Sequence, residues 1–211
     1  MGLCSLDSIR PLYGFVDPHG GENRQSSARL KKIASQAAIV VGGRDDRNIY
    51  VVDAWADRCS TDTLVEKMFE MCEKWKLKSL GGEDNGMAGL FHDAVHREAK
   101  WRNKPLPIVR VTQPTNIHKD YRIRTALQPP IGHGRLILRS GLDQLVDQIT
   151  AFPLSPHKDL VDALASLVRF IPSRPQRIER NRELNDKLRY LRNNGVAPDI
   201  IRDIAAGKKF A

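Results

Sequence analysis

The chain has 211 residues, 41% of them hydrophobic and 28% charged, which suffices for one domain with a substantial core and excludes a largely disordered chain. It contains no run of about 18 apolar residues and begins without the apolar stretch of a secretory signal, so we predict a cytoplasmic protein with no membrane partner. The formal net charge of +9 makes a polyanion the expected partner, because lysines and arginines that neutralise phosphates release bound counterions.

Hydrophobic periodicity predicts strands and helices that alternate along residues 1–172. Short apolar runs bounded by turn residues predict strands, and apolar residues three and four positions apart predict helices. The expected strands are, in chain order, 11–17, 34–43, 49–56, 77–84, 106–113 and 134–139. The expected helices are 60–75, capped by Ser60 or Thr61, then 87–101, 117–127, 141–152 and 157–170. An antiparallel opening followed by alternating strands and helices indicates an α/β domain with a mixed sheet.

Residues 173–211 differ in composition from the preceding part of the chain. They hold ten Lys or Arg against five Asp or Glu, which accounts for +5 of the net charge of +9. Leucines at helical spacing over 181–195, and a similar pattern over 197–207, predict two short helices. We therefore expect a main domain at 1–172 and a basic tail at 173–211, which could pack on the domain, bind a partner or stay mobile.

Carboxylates at three places in the sequence are candidates for a metal site. Asp17 and Glu83 each end an apolar strand, and Asp159 and Asp162 lie one turn apart on a helix otherwise suited to burial. Hydrolysis of a phosphodiester is assisted by two Mg²⁺ ions about 3.5–4 Å apart, and such hard cations require oxygen ligands. A plain structural interpretation also exists, in which Asp17 is a turn residue, Glu83 a solvated loop residue and Asp159 a helix cap.

Four motifs, in this order, resemble the nuclease domain of the large terminase subunit of tailed bacteriophages: GFVDPHGG, GGEDNGMAG, IHKDYRI and HKDLVDALA. The resemblance extends over roughly 13–171. It implies an RNase H-like α/β fold, with three antiparallel strands followed by parallel strands in a mixed sheet and helices on both faces. It also implies an endonuclease that uses Mg²⁺ or Mn²⁺ in a two-metal site to cut double-stranded DNA, with little sequence specificity, during viral genome packaging.

The same resemblance implies roles for individual acids. Asp17, Glu83 and Asp162 match the catalytic carboxylates of the family, and all three are expected to bind metal. Asp159 matches an extra acid one turn earlier and is expected to be a fourth metal ligand. Asp84, which follows Glu83, remains outside the expected site.

Basic residues near the motifs are candidates for contacts with DNA. The candidates are Arg24, Arg29, Lys31, Lys32, Lys119 and Arg122. The first four belong to the polar stretch after Asp17, where a basic flap would hold the phosphate chain without reading bases. The other two could contact the DNA backbone or only shield apolar surface. His157, just before the acidic pair, is a further candidate that could touch a metal-bound water, the scissile phosphate or only its own helix cap.

The chain departs from the family in two respects. Gly81 and Gly82 stand before Glu83 where β-branched residues are usual in the family. The position at which that strand ends is therefore not determined by the sequence. The chain also lacks a phosphate-binding loop and has no room for the packaging ATPase of a full large subunit, so we expect an excised nuclease domain or a naturally short relative.

Two alternative functions stay open. The closing Asp-x-x-Asp-Ala-Leu-Ala spacing is also similar to that of RuvC-type junction resolvases, which share the fold, although Lys119 with Arg122 and Ile123 favours the terminase interpretation. The other alternative is a non-catalytic module of the packaging machine that binds DNA or portal. In either packaging interpretation the basic tail could bind portal or the small terminase subunit.

Overall fold

A computed structural model describes residues 9–18, 36–83, 88–113, 116–172, 186–194, 198 and 200, with the backbone alone described for 88–92. The chain divides into two compact units, 1–172 and 173–211. Within the second unit residues 186–193 are helical, and most of the second predicted tail helix lies outside the described residues. Among the described residues, no helix has the length and apolar character needed to cross a membrane.

Six strands form one mixed sheet in the order β5-β4-β1-β2-β3-β6. The strands are β1 (Tyr13–Asp17), β2 (Ala37–Arg44), β3 (Ile49–Asp57), β4 (Ser79–Glu83), β5 (Ile108–Val111) and β6 (Leu136–Leu138). The first three are antiparallel neighbours, whereas β4 pairs in parallel with β1, β5 with β4, and β6 with β3. The predicted mixed sheet, with three antiparallel strands followed by parallel ones, is confirmed.

Five helices cover the two faces of this sheet. They are α1 (Thr61–Trp75), α2 (Ala88–Trp101), α3 (Lys119–Gly132), α4 (Asp143–Thr150) and α5 (Asp159–Phe170). Because side chains alternate along a strand, Val16 packs into a core with α1 and α2, while its neighbour Phe15 packs into a second core with α3, α4 and α5. Helices on both faces were predicted, and this prediction is confirmed.

The start of α1 was predicted correctly, whereas the end of α3 was not. Ser60 caps α1 by accepting a hydrogen bond from the Thr63 N–H, as one of the two predicted caps. The predicted end of α3 at position 127 was wrong, because the helix continues through Pro129 and Pro130 to Gly132. Proline lacks an N–H donor, but the carbonyls of both prolines still accept hydrogen bonds, from His133 and Arg135, in the last turn.

Strand β4 packs closely against two aromatic side chains at Gly81. A Cβ at this position would lie 2.7 Å from Cδ2 of Phe15 and 3.2 Å from Cγ of Phe170. The glycine therefore leaves room for the two aromatic rings, which meet edge to face with centroids 6.1 Å apart. The strand end that the sequence left open lies at Glu83.

Candidate metal centre

Asp17, Glu83 and Asp162 come together at the carboxyl ends of two neighbouring strands. Val16 pairs with Gly82 in the parallel register of β1 and β4, so the following residues, Asp17 and Glu83, end the strands side by side. Asp162 reaches them from the first turn of α5. Each residue offers one carboxylate oxygen, and these oxygens all lie within 4.8 Å of one another. Carboxylates so close repel one another unless cations compensate them.

Helix α5 presents its acids from within the core. Its apolar residues are buried against β1 and β2, and Asp162 and Asp159 are themselves only 3% and 5% exposed. Asp159 lies beside the three carboxylates but is not part of the set within 4.8 Å. Its Oδ2 accepts a hydrogen bond from the Gln36 N–H at 3.1 Å, and its Oδ1 lies 3.9 Å from Nζ of Lys119. Its role as a fourth metal ligand stays a prediction.

Two cations from the first turn of α3 lie against Asp162. Nζ of Lys119 is 3.0 Å from Oδ2 of Asp162, and Nη2 of Arg122 is 3.1 Å from both of its oxygens. Arg122 is buried, and its Nε has no hydrogen-bond partner within the described part of the chain. Both residues were predicted to contact DNA. That role stays a prediction, and the observed contacts support a role for Arg122 in orienting Asp162.

The pKa values of two groups reflect this crowding of charges. Burial raises the pKa of the Asp17 carboxyl well above its usual value; the nearby Lys119 opposes the shift, and the neighbouring carboxylates, of which Asp162 contributes most, add to it. Burial by itself would lower the pKa of Lys119, but the surrounding carboxylates, led by Asp162 and Asp17, raise it above its ordinary value. The site is therefore short of positive charge.

The donor set fits a hard divalent cation. When Asp17, Glu83, Asp159 and Asp162 are all ionised, their charge exceeds that of Lys119 and Arg122 by two, which one Mg²⁺ or Mn²⁺ would balance. Carboxylate oxygens are the ligands that these ions prefer. Among the described residues, the acids close enough together to hold one metal ion are Asp17, Glu83 and Asp162.

The remaining predicted site residues either lie outside the described part of the chain or have few described contacts. Arg24, Arg29, Lys31, Lys32 and Asp84 lie outside the described residues. His157 is half-buried just before α5, and its backbone carbonyl accepts a hydrogen bond from the Ser155 hydroxyl. The accessory role of His157 and the DNA contacts of the four basic residues stay predictions.

Three glutamines near the site were not singled out from the sequence. The backbone of Gln36 binds Asp159, the side chain of Gln113 donates to Oγ of Ser166 at 2.8 Å, and Oε1 of Gln148 accepts hydrogen bonds from the first turn of α5. Gln113 and Gln148 are both buried. In an amphipathic sequence, a glutamine that will be buried cannot be distinguished from one that will be exposed to solvent. The sequence therefore gives no indication of these contacts.

The mixed sheet in the order β5-β4-β1-β2-β3-β6, with helices on both faces, is an RNase H-like fold. The human cytomegalovirus terminase nuclease domain shares it. Its manganese-soaked, inhibitor-bound structure matches with a TM-score of 0.54 and 12% identity, covering 76% of this chain and 82% of that chain. Another structure of that domain gives a TM-score of 0.54 and 12% identity over 76% and 83% of the two chains. The predicted resemblance to terminase nuclease domains is confirmed at the level of the fold.

A third structure, the large terminase nuclease of the thermophilic phage G20c, has a TM-score of 0.47 and 10% identity over 69% of this chain and 79% of that chain. No protein-family model matches the sequence, and a comparison with curated proteins finds no match.

Proposed function

We propose that this protein is a divalent-metal-dependent endonuclease that cuts double-stranded DNA with little sequence specificity. The observation that carries the proposal is the approach of three carboxylate oxygens to within 4.8 Å of one another at the ends of adjacent strands in an RNase H-like sheet. The shared fold with a terminase nuclease domain studied with manganese supports the choice of metal and reaction. The net charge of +9 supports a nucleic-acid substrate.

Each residue of the site has a defined part in this proposal. Asp17, Glu83 and Asp162 would hold Mg²⁺ or Mn²⁺, in the two-metal arrangement that the sequence predicts, and the bound metal supplies an activated water and neutralises charge on the scissile phosphate. Arg122 keeps the Asp162 carboxylate in one orientation by donating to both of its oxygens. Lys119 is 41% exposed at its side chain, so it can also meet a phosphate oxygen of bound DNA.

We further propose that cutting serves viral genome packaging, on the strength of the ordered motifs and the shared fold. In this proposal residues 1–172 are the nuclease domain and residues 173–211 are a basic tail that binds DNA, portal or the small terminase subunit. Residues 24–32 contribute a basic segment that holds the DNA backbone next to Asp17.

The central test is cleavage of supercoiled plasmid in Mg²⁺ or Mn²⁺ by single-residue variants. Asp17→Asn, Glu83→Gln and Asp162→Asn are each expected to abolish detectable cleavage, because an amide is a weaker ligand than a carboxylate for a hard cation. Circular dichroism should show that the fold survives. Glu70→Gln, an exposed change in α1 with the same chemistry, is the matched control and should cut normally. Full activity in all three site variants would contradict the proposal.

Two further measurements separate the alternative functions. A preference for four-way junctions over linear duplex in a gel comparison would favour a junction resolvase, to which the closing acidic motif is also similar. Retained DNA binding without cleavage in any metal would favour a non-catalytic packaging module.

A further inference from the structure

The first turn of α5 carries Asp159 and Asp162 and yet has no side-chain cap of its own. The first N–H groups of any helix lack partners within the helix, and a Ser, Thr, Asp or Asn at the cap position usually accepts from them. The cap residue of α5 is Lys158, whose side chain makes no capping hydrogen bond. Its Nζ instead lies 2.9 Å from a carboxylate oxygen of Asp120 in α3.

A buried glutamine from α4 supplies the missing acceptor. Oε1 of Gln148 lies 3.0 Å from the backbone nitrogen of Leu160 and 3.4 Å from that of Val161. Gln148 is 4% exposed, and its surroundings include the fully buried Leu145, so water cannot readily replace the amide oxygen. Loss of this acceptor would leave these buried N–H donors without a hydrogen-bond partner, which is unfavourable in the protein interior.

Capping from another helix has a consequence for the carboxylates. An Asp at the start of a helix commonly turns its side chain back onto the helix N–H groups. In α5, Gln148 accepts from the N–H groups of Leu160 and Val161, whereas the Asp159 carboxylate contacts Gln36 and Lys119 and the Asp162 carboxylate approaches Asp17 and Glu83. The N-cap position of α5 is occupied by Lys158 and not by Asp159.

We propose that Gln148 is a positioning residue of the metal centre. Its amide oxygen fixes the first turn of α5, and through that turn it holds the Asp162 carboxylate at the distance from Asp17 and Glu83 that a shared metal requires. Gln148 is not a metal ligand in this proposal. The inference rests on the proposed function, since it presupposes that these three carboxylates bind a divalent cation.

The test measures the dissociation constant for Mn²⁺ by isothermal titration calorimetry on the full chain, without DNA. Gln148→Leu removes the acceptor at similar volume and is expected to weaken Mn²⁺ binding about tenfold, as loss of a group that orients a metal ligand commonly does. Gln148→Glu keeps an oxygen acceptor at the helix N-terminus and should stay within about twofold of the wild type. Plasmid cleavage by Gln148→Leu should recover at high Mn²⁺ concentration.

A matched control separates positioning from general destabilisation. Val65→Ala creates a cavity in the core on the other face of the sheet and should lower thermal stability without changing Mn²⁺ affinity. If Gln148→Leu does not fold, Gln148→Asn, whose shorter side chain cannot reach the same N–H groups, replaces it. Wild-type Mn²⁺ affinity in the Gln148 variant would overturn the inference and leave the nuclease proposal intact. Failure of the wild-type chain itself to bind Mn²⁺ would overturn both.

Discussion

Substitution of Lys119 tests how positive and negative charges balance in the site. Its ammonium lies 3.0 Å from Asp162, and its raised pKa keeps it protonated throughout the neutral range. Together with Arg122, it partly compensates the mutual repulsion of the carboxylates. Because a divalent cation supplies the same compensation, stability and metal binding should be linked at this position.

Lys119→Met is therefore expected to lower the melting temperature in chelator and to increase the stabilisation that Mn²⁺ provides. The half-exposed side chain makes the first effect modest, about 1 kcal/mol, because solvent screens the pair. Thermal unfolding with EDTA or with Mn²⁺ measures both effects. Lys74→Met, which removes an ion pair with Asp53, is the control and should show the wild-type response to Mn²⁺. An Mn²⁺ shift for Lys119→Met no larger than that of the wild type would contradict the expectation.

Sequence reasoning at the residue scale located the acids but not their partners. Asp17 and Asp162 were recognisable because a charge stands where the apolar pattern calls for burial. Arg122, in the motif IHKDYRI, was expected to contact DNA or to shield apolar surface, and its contact with Asp162 was not predicted, since spacing along a helix does not reveal which neighbouring helix a side chain meets. Gln148 gave no signal because its hydrogen bonds join α4 to α5 across the fold.

At the scale of elements, β4 shows why two adjacent glycines are not equivalent. A Cβ at Gly81 would lie 2.7 Å from the ring of Phe15, whereas one at Gly82 would lie 3.4 Å from Val16, an ordinary contact. The sequence showed two glycines before Glu83 and could not say which one the packing requires.

Gly81→Ala is expected to destabilise the protein by about 1–3 kcal/mol, the usual cost of forcing extra volume into a packed core. Gly82→Ala should be near neutral or slightly stabilising, because it reduces the freedom of the unfolded chain without a steric conflict. Urea unfolding of the two variants gives the comparison. Equal effects at the two positions would show that the Phe15 contact does not constrain the strand.

The elements themselves were largely predictable, and the errors have identifiable causes. All six strands and five helices described for residues 1–172 were expected near their observed positions, because most of them have an apolar run or an apolar period. Helix α3 was expected to end at position 127, but it continues through Pro129 and Pro130. Its extension to Gly132 depends on hydrogen bonds that the proline carbonyls, rather than their nitrogens, provide.

For the whole molecule, periodicity predicted a mixed sheet but not the spatial order of its strands. Placing β1 between β2 and β4, and thus Asp17 beside Glu83, required the resemblance to a known fold. Charge distribution is also a property of the whole chain. The +5 of residues 173–211 is more than half of the net +9, so the tail should dominate attraction to DNA.

Deletion of residues 173–211 is expected to weaken duplex binding and flatten its salt dependence, while slow cutting at low salt persists. Dissociation constants at several salt concentrations and plasmid cleavage measure the two properties. A full-length chain with Arg174, Arg177, Arg180 and Arg182 changed to Gln keeps the tail length and should reproduce part of the loss if charge is the cause. Unchanged binding after deletion would place the DNA contacts in residues 1–172.

The carboxylates come from the first strand, the fourth strand and the last helix of the domain, at positions 17, 83 and 162. A growing polypeptide therefore contains no complete centre until nearly the whole domain has left the ribosome and the last helix has docked on the first strand. Fragments released early, or chains that misfold, would be unable to cut DNA. If the protein is the DNA endonuclease proposed above, such late assembly would limit damage to the genome of the cell that makes it.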